Sequence, residues 1–394
     1  MNKKIIIPTV LGVLIVIFVV SKIIDGSKIV LNWEKNQPEI ISSDSIFLNV
    51  YVENSGSMDA YMCSGSNLKD AVFDYISDLK KYSSSTTLFY INSQIIPYNG
   101  TLESYIKDLT PQSFAKAGGH RGNTDLRKIF SDIMNLHQKN TISILVSDCI
   151  LDIPENAIDY FGNCQVHIKN VFNDALANNP YLGVEIIQLE SKFDGFWYCG
   201  KNNKRLSDVK RPYYIWLIGD QRVLAKLNKI VNVNDIIGGI KNYCAYASAQ
   251  SIPFTFDKST FKVNHTKKIK VEVISNLLLS LQNELILSNV GNYKTSNPSQ
   301  TTITHISKID NPQSQYSHVI ELEIVNPETI RQENITFTYP YLSSWVEVSN
   351  DSTGTDIENN MDKTTGILYL IKGVAEAFKS HTNFGVISFD LKNK

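Results

Sequence analysis

The sequence predicts an α/β protein with a doubly wound, mostly parallel sheet. That domain sits between one N-terminal transmembrane helix and a β-rich, sandwich-like domain with one helix. Three observations predict this. An apolar run fills Ile5–Val20, short β-branched segments alternate with amphipathic stripes up to Ile230, and the hydrophobic period switches to two after Ile252. The chain has 394 residues, 43% hydrophobic and 20% charged, enough to bury a core and too apolar for wholesale disorder. Lys plus Arg number 38 against 39 Asp plus Glu, so the basic excess of a nucleic-acid binder is absent. Five cysteines are too few for a disulfide-framed miniprotein, and no CxxC pair marks a zinc site.

Residues 1–24 read as a signal-anchor. Ile5–Val20 is free of charge, and Ile23 and Ile24 extend it with Lys22 snorkelling. About 20 residues at about 1.5 Å each span roughly the 30 Å of a hydrocarbon core. Lys3 and Lys4 hold the N-terminus inside, which places the body outside the cytoplasm, periplasmic or on the surface of a bacterial cell. No A-x-A-like site follows to favour cleavage. Residues 25–45 read as a linker.

The α/β domain is expected over residues 46–251. Ile46–Val52 lacks alternation, as in a strand buried on both faces. Leu68, Ala71, Val72, Tyr75, Ile76 and Leu79 then repeat at helical spacing. Thr87–Ile91 and Gln94–Tyr98 read as a hairpin supplying an antiparallel edge strand. A helical stripe begins at Leu126, a buried strand covers Ile142–Val146, and a third helix begins at Ile168. Val184–Leu189 and Tyr213–Ile218 give two more strands, and Gln221–Ile230 a closing helix. Between those last strands, residues 192–212 form a long insertion, aromatic and then basic, that is either a projecting hairpin or a solvated loop.

Residues 252–394 form the expected β-rich domain. Lys267–Ser275, His318–Val325 and Asn334–Tyr339 alternate polar and apolar residues, as half-exposed antiparallel strands do. Ile367, Leu370, Ile371, Val374 and Phe378 make the one helical stripe.

The chemistry concentrates where the first α/β strand ends, at Glu53-Asn54-Ser55-Gly56-Ser57. A carboxylate and two hydroxyls at alternate positions put three oxygens on one loop at the carboxyl end of a strand. Such hard ligands suit Mg²⁺, Mn²⁺ or Ca²⁺ rather than zinc or copper. This pattern resembles the metal-ion-dependent adhesion site of von Willebrand factor type A domains, D-x-S-x-S, with Glu53 at the Asp position. The resemblance implies that Thr124, in the Gly-rich stretch before Leu126, and Asp148, after the fourth strand, complete a metal set of Glu53, Ser55, Ser57, Thr124 and Asp148. It covers roughly Ile46 to Asn232. Asp59, Asp125, His120 and Arg121 lie beside these motifs as further candidates.

What the resemblance implies is a binding protein and not an enzyme. A Mg²⁺ or Mn²⁺ ion would take an acidic side chain from a protein ligand, with the N-terminal helix as the membrane contact. A structural subunit with a silent metal site is the alternative, and a metal-assisted hydrolase a more remote one. No G-x-S-x-G elbow or P-loop is present.

Overall fold

The computed structural model describes residues 27–33, 46–122, 124–153, 157–248, 251–311, 313–338, 342–379 and 383–394. The expected anchor, Ile5–Val20, lies outside them. Among the described residues no helix is long and apolar enough to cross a membrane. The expectation of a single-pass membrane protein with an extracytoplasmic body is corrected on that ground: nothing in the described fold carries it. Cys63, Cys149, Cys164, Cys199 and Cys244 are all unpaired, and all but Cys63 are buried.

After β1 (Lys28–Asn32) come the strands of a seven-stranded sheet. They are β2 (Phe47–Glu53), β3 (Ser85–Ile91), β4 (Ile95–Tyr98), β5 (Thr141–Ser147), β6 (Leu182–Cys199), β7 (Asn202–Asp220) and β8 (Asn242–Ala247). Their spatial order is β4-β3-β2-β5-β7-β6-β8. Only β2 with β3 and β2 with β5 pair in parallel, and the other neighbours are antiparallel. The doubly wound, mostly parallel fold inferred from the sequence is therefore corrected, and with it the type A domain topology.

The cause lies in the 192–212 insertion. A parallel pair needs a crossover of a dozen or more residues, usually a helix. Here the insertion instead continues both flanking strands into one long hairpin, paired from Leu182↔Asp220 to Cys199↔Asn202 with one register shift between Phe193 and Gly195. A two-residue turn at Gly200-Lys201 joins them, which forces β6 and β7 antiparallel.

Alternation along the central strands separates two faces. Val50 and Val52 of β2, with Ile142, Ile144 and Val146 of β5, join the core beneath the Leu68–Lys80 helix. Tyr51 and Leu145 point the other way, toward the Leu126–Leu136 helix. Both helices bury the stripes read in the sequence. At roughly 25 cal/mol per Å² of apolar area, these faces supply most of the driving force.

The remaining strands form two antiparallel sheets, ordered β10-β1-β18-β15-β12 and β13-β14-β11-β9. Their members are β9 (Phe254–Phe256), β10 (Thr260–Lys262), β11 (Lys268–Ser275), β12 (Tyr293–Thr295), β13 (Thr301–Lys308), β14 (His318–Val325), β15 (Gln332–Thr338) and β18 (Asn383–Asn393). The short β16 (Asn350–Asp351) and β17 (Thr364–Thr365) pair separately. Two features depart from the expected sandwich. β1, inside the supposed linker, pairs along β18 from Ile29↔Asn393 to Asn32↔Asp390. The Ile367–Ala377 helix leaves the β-rich part and packs against the Ala157–Asn178 helix of the α/β part. A Cβ on Gly373 would stand 2.7 Å from the Gln165 carbonyl oxygen, and Gln165 Nε2 donates to Glu376 Oε1 at 2.8 Å. The second core accordingly runs from Phe130 and Ile168 through Leu370 and Val374.

One buried carboxyl gives the α/β core a pH dependence. Glu185, on β6, is fully buried, accepts a hydrogen bond from Asn228, and has no partner at Oε2. Burial pushes its pKa from 4.5 up to about 7. The folded state thus holds the proton more tightly than the unfolded chain. The cost of ionising Glu185 is absent below about pH 4.5, grows as pH rises, and is complete above about 7. Urea unfolding should therefore show Glu185→Gln gaining stability relative to wild type between pH 5 and pH 8, by roughly 2–3 kcal/mol. An equal difference at both pH values would remove Glu185 as the cause.

Candidate functional site

β2 and β5 are neighbours running in the same direction, so their carboxyl ends bring two loops together. Glu53 is the last residue of β2, and Asp148 follows β5 directly. Both carboxylates are buried, at 3% and 2% exposure. Ser147 Oγ donates to Glu53 Oε2 and also accepts from the Cys149 N–H at 2.8 Å. Cys149 holds φ at +55°, a left-handed conformation uncommon outside glycine, as the chain turns off the strand. Ser55 and Ser57 lie on the loop after β2, their hydroxyl oxygens 3.1 Å apart.

A third segment completes the cluster. Arg121 donates from Nε to the Asn54 carbonyl at 2.8 Å and from Nη2 to the Ser55 carbonyl at 3.2 Å. Its own carbonyl accepts from Gly56 N at 3.1 Å. These bonds fasten the Thr124 segment to the Ser55 loop. Upstream, Asn92 Nδ2 reaches Asn54 Oδ1 at 3.1 Å and the Gly118 carbonyl at 2.9 Å. Gly119 passes so close that a Cβ there would lie 2.0 Å from Asn92 Oδ1.

Glu53, Ser55, Ser57, Thr124 and Asp148 consequently line one pocket of about 360 Å³. The five residues singled out in the sequence come together. Burial is the main cause raising the Glu53 pKa to about 8, followed by the Asp148 charge, while Ser147, Ser55 and Thr124 oppose it. Asp148 is also raised, by burial, with Ser57, the Ile150 N–H and distant Arg211 opposing. Two carboxyl groups, both disfavoured in their charged form, thus share one desolvated site. Thr124 faces Glu53 and Ser57 faces Asp148, yet Thr124 Oγ1 and Asp148 Oδ2 complete no hydrogen bond. Buried polar atoms left so are costly, and an additional partner in the pocket would satisfy them.

The neighbouring candidates have other work. Asp59 pairs with Arg121 at 2.5 Å. Asp125 caps the Leu126–Leu136 helix, accepting from Arg127 N at 3.1 Å and pairing with the Arg127 side chain. His120 is tied through its backbone N–H to Ser93 Oγ. Sequence reasoning missed Asp152, Tyr198 and Gly200, which line the same pocket. Tyr198 and Gly200 belong to the hairpin tip, and no local pattern ties them to β2.

Among the described residues no three His, Cys, Asp or Glu side chains gather as a metal-holding group. The expectation of a recognisable adhesion-type metal centre is corrected to that extent: the site is two buried carboxyls, Glu53 and Asp148, with the hydroxyls of Ser55, Ser57 and Thr124, and Asp152 on the pocket wall held by the Gly200 N–H. A larger cleft of about 560 Å³ opens at the opposite end of the sheet, beside His137, Asn140 and Asp220. Asp220 there is neutralised by Arg222 at 2.7 Å, so it lacks the uncompensated charge of the Glu53 pocket.

Gly119 and Gly118 both hold positive φ, but a Cβ on Gly118 would meet nothing within 4 Å. Gly119→Ala should lower stability by about 1–3 kcal/mol more than Gly118→Ala in urea unfolding, through the added clash with Asn92. Equal losses would show that this close approach does not hold the Thr124 segment.

The resemblance to type A domains rests on three short motifs and is not matched by the sheet topology. No family model, curated protein or solved structure matches this chain.

Proposed function

We propose that this chain is a binding protein, not an enzyme, whose Glu53–Asp148 pocket takes a hard divalent cation and through it an acidic side chain of a protein ligand. One observation carries the reading. Two buried carboxylates with raised pKa values share a pocket with three hydroxyls, and two of the surrounding oxygen atoms lack partners. A divalent cation is the partner such a set favours, because it neutralises both carboxylates and accepts hydroxyl oxygens. Glu53 and Asp148 would supply its charge, with Ser55, Ser57 and Thr124 as neutral ligands. Mg²⁺ or Mn²⁺ suits this donor set, and Ca²⁺ is the third candidate. When bound, the ion supplies an electrophilic centre for a carboxylate.

Two features favour binding over turnover. Histidine, the commonest general base, is missing from the residues lining the pocket. The hydroxyl of Ser55 is engaged with that of Ser57, and neither neighbours a histidine in the pocket wall.

The test uses opposed effects of one substitution. Glu53→Gln removes a carboxyl whose burial opposes its ionisation and raises its pKa to about 8, so near pH 7–8 the variant should be more stable than wild type in a chelator. With Mg²⁺ or Mn²⁺ in hundredfold excess over its dissociation constant, wild type should gain on the order of 2.7 kcal/mol and the variant far less. The ranking of the two melting temperatures should narrow or invert on adding the ion. Ser55→Ala with Ser57→Ala should also lose the ion response while keeping the fold. A wild-type melting temperature indifferent to both ions would defeat the proposal.

A further inference from the structure

The β6–β7 hairpin does more than change the sheet topology. Its distal half runs over the Ser57–Met62 turn, next to the Glu53 pocket. The register shifts between Phe193 and Gly195, and Asp208 in the facing strand holds φ at +56°, so a bulge bends the hairpin there. Beyond it, a Cβ on Gly195 would stand 2.5 Å from Ala60 Cβ, which shows how closely the hairpin lies on the turn.

Alternation then gives the tip two faces. Trp197 and Cys199 point into the body at 1% exposure each. Phe196 and Tyr198 point outward at 47% and 44% exposure, their rings stacked with centroids 6.1 Å apart at 28°. The Tyr198 ring reaches within 3.4 Å of a Cβ position on Gly56 and lines the pocket. An exposed aromatic pair therefore adjoins the mouth of the Glu53 pocket.

The tip is also fastened. Gly200 N donates to Asp152 Oδ1 at 2.5 Å, Cys199 Sγ contacts the Leu151 carbonyl at 3.7 Å, and Asn202 Nδ2 donates to the Gly354 carbonyl at 2.9 Å. A backbone fastened in advance loses little entropy when a ligand settles on the tip. Exposed tyrosine and phenylalanine beside a polar anchor are the residue types that dominate peptide contacts.

We propose that Phe196 and Tyr198 form a specificity platform for a protein ligand in which an Asp or Glu is directly followed by an aromatic residue. This rests on the ion reading of the Glu53 pocket and names its partner. The acidic side chain enters the pocket, whose roughly 360 Å³ suits one side chain and not a domain. The adjacent aromatic ring packs on Phe196 and Tyr198. The ion, not the acidic pocket wall, selects the first residue, and apolar burial selects the second.

The probes are acetyl-Gly-Asp-Phe-Gly-amide and acetyl-Gly-Asp-Ala-Gly-amide, titrated with Mg²⁺ onto the protein by ligand-observed NMR. The Phe peptide should bind roughly fivefold tighter, the value of one aromatic contact. Phe196→Ser should erase that preference. Because Phe196 is half exposed and Trp197 holds the opposite face, this variant should keep both its fold and its Mg²⁺-induced rise in melting temperature. Equal affinities for the two peptides, no binding of either, or a preference that survives Phe196→Ser would overturn the platform. If the Mg²⁺-induced rise is present in those cases, the ion reading stands without it. A Phe196-dependent preference that persists in chelator, with no Mg²⁺ response, overturns the ion reading and leaves the platform.

Discussion

Glu53 and Asp148 place two carboxylates in one desolvated pocket, and much of the surrounding structure answers to that constraint. Removal from water raises both pKa values, and the Asp148 charge raises that of Glu53 further. The protein meets this in part with donors: Ser147 bonds Glu53, and the Ile150 N–H reaches Asp148 Oδ1 at 3.3 Å. The compensation is incomplete, since Asp148 Oδ2 and Thr124 Oγ1 have no partner. A site of this kind costs the free protein stability, because its carboxyls are desolvated without full compensation.

Holding the pocket open takes a framework of backbone contacts. The parallel pairing of β2 with β5 brings Glu53 and Asp148 to the same sheet end. Arg121 then ties the third segment to the carbonyls of Asn54 and Ser55, and Asp59 balances its charge. Asn92 and Gly119 make a second clasp upstream. Each of these residues acts by placing another, so the hydroxyl of Thr124 reaches the pocket through a chain of polar contacts and not through an element of its own.

The rest of the fold supports the pocket from a distance. The long hairpin replaces a helical crossover and lays its tip beside the site. The Ile367–Ala377 helix, far along the chain, closes the face opened by the antiparallel β7 and buries Ile367, Leu370 and Val374. Asn202 and Gly354 link that returning segment to the hairpin tip. The α/β and β-rich parts are thus interlaced, with β1 and β18 at opposite chain ends paired in one sheet.

The local elements were legible in the sequence because their signals are local. The stripe from Leu68 to Leu79 folds as the Leu68–Lys80 helix, and the period-two run at Lys267–Ser275 becomes β11. The Glu53-Asn54-Ser55-Gly56-Ser57 motif and Asp148 were recognisable at strand ends and Thr124 on the loop before the Leu126–Leu136 helix, and all of Glu53, Ser55, Ser57, Thr124 and Asp148 line one pocket. Strand direction was not legible: Val184–Leu189 and Tyr213–Ile218 look alike whether a crossover or a hairpin joins them, since burial on both faces erases periodicity. Nor was the pairing of β1 with β18, because three short apolar residues in a presumed linker carry no mark of a partner more than three hundred residues away. By itself the sequence determined the elements with a strong period, such as the Leu68–Lys80 helix and β11, because spacing suffices for those; short elements such as β1, β8 and the Leu102–Lys107 helix carry too few residues to show one. Only the tertiary structure decided that β7 runs antiparallel, that the hairpin tip brings Tyr198 to Gly56, and that the last long helix returns to the α/β part. Those outcomes depend on which buried faces meet, and that is a property of the packed chain as a whole.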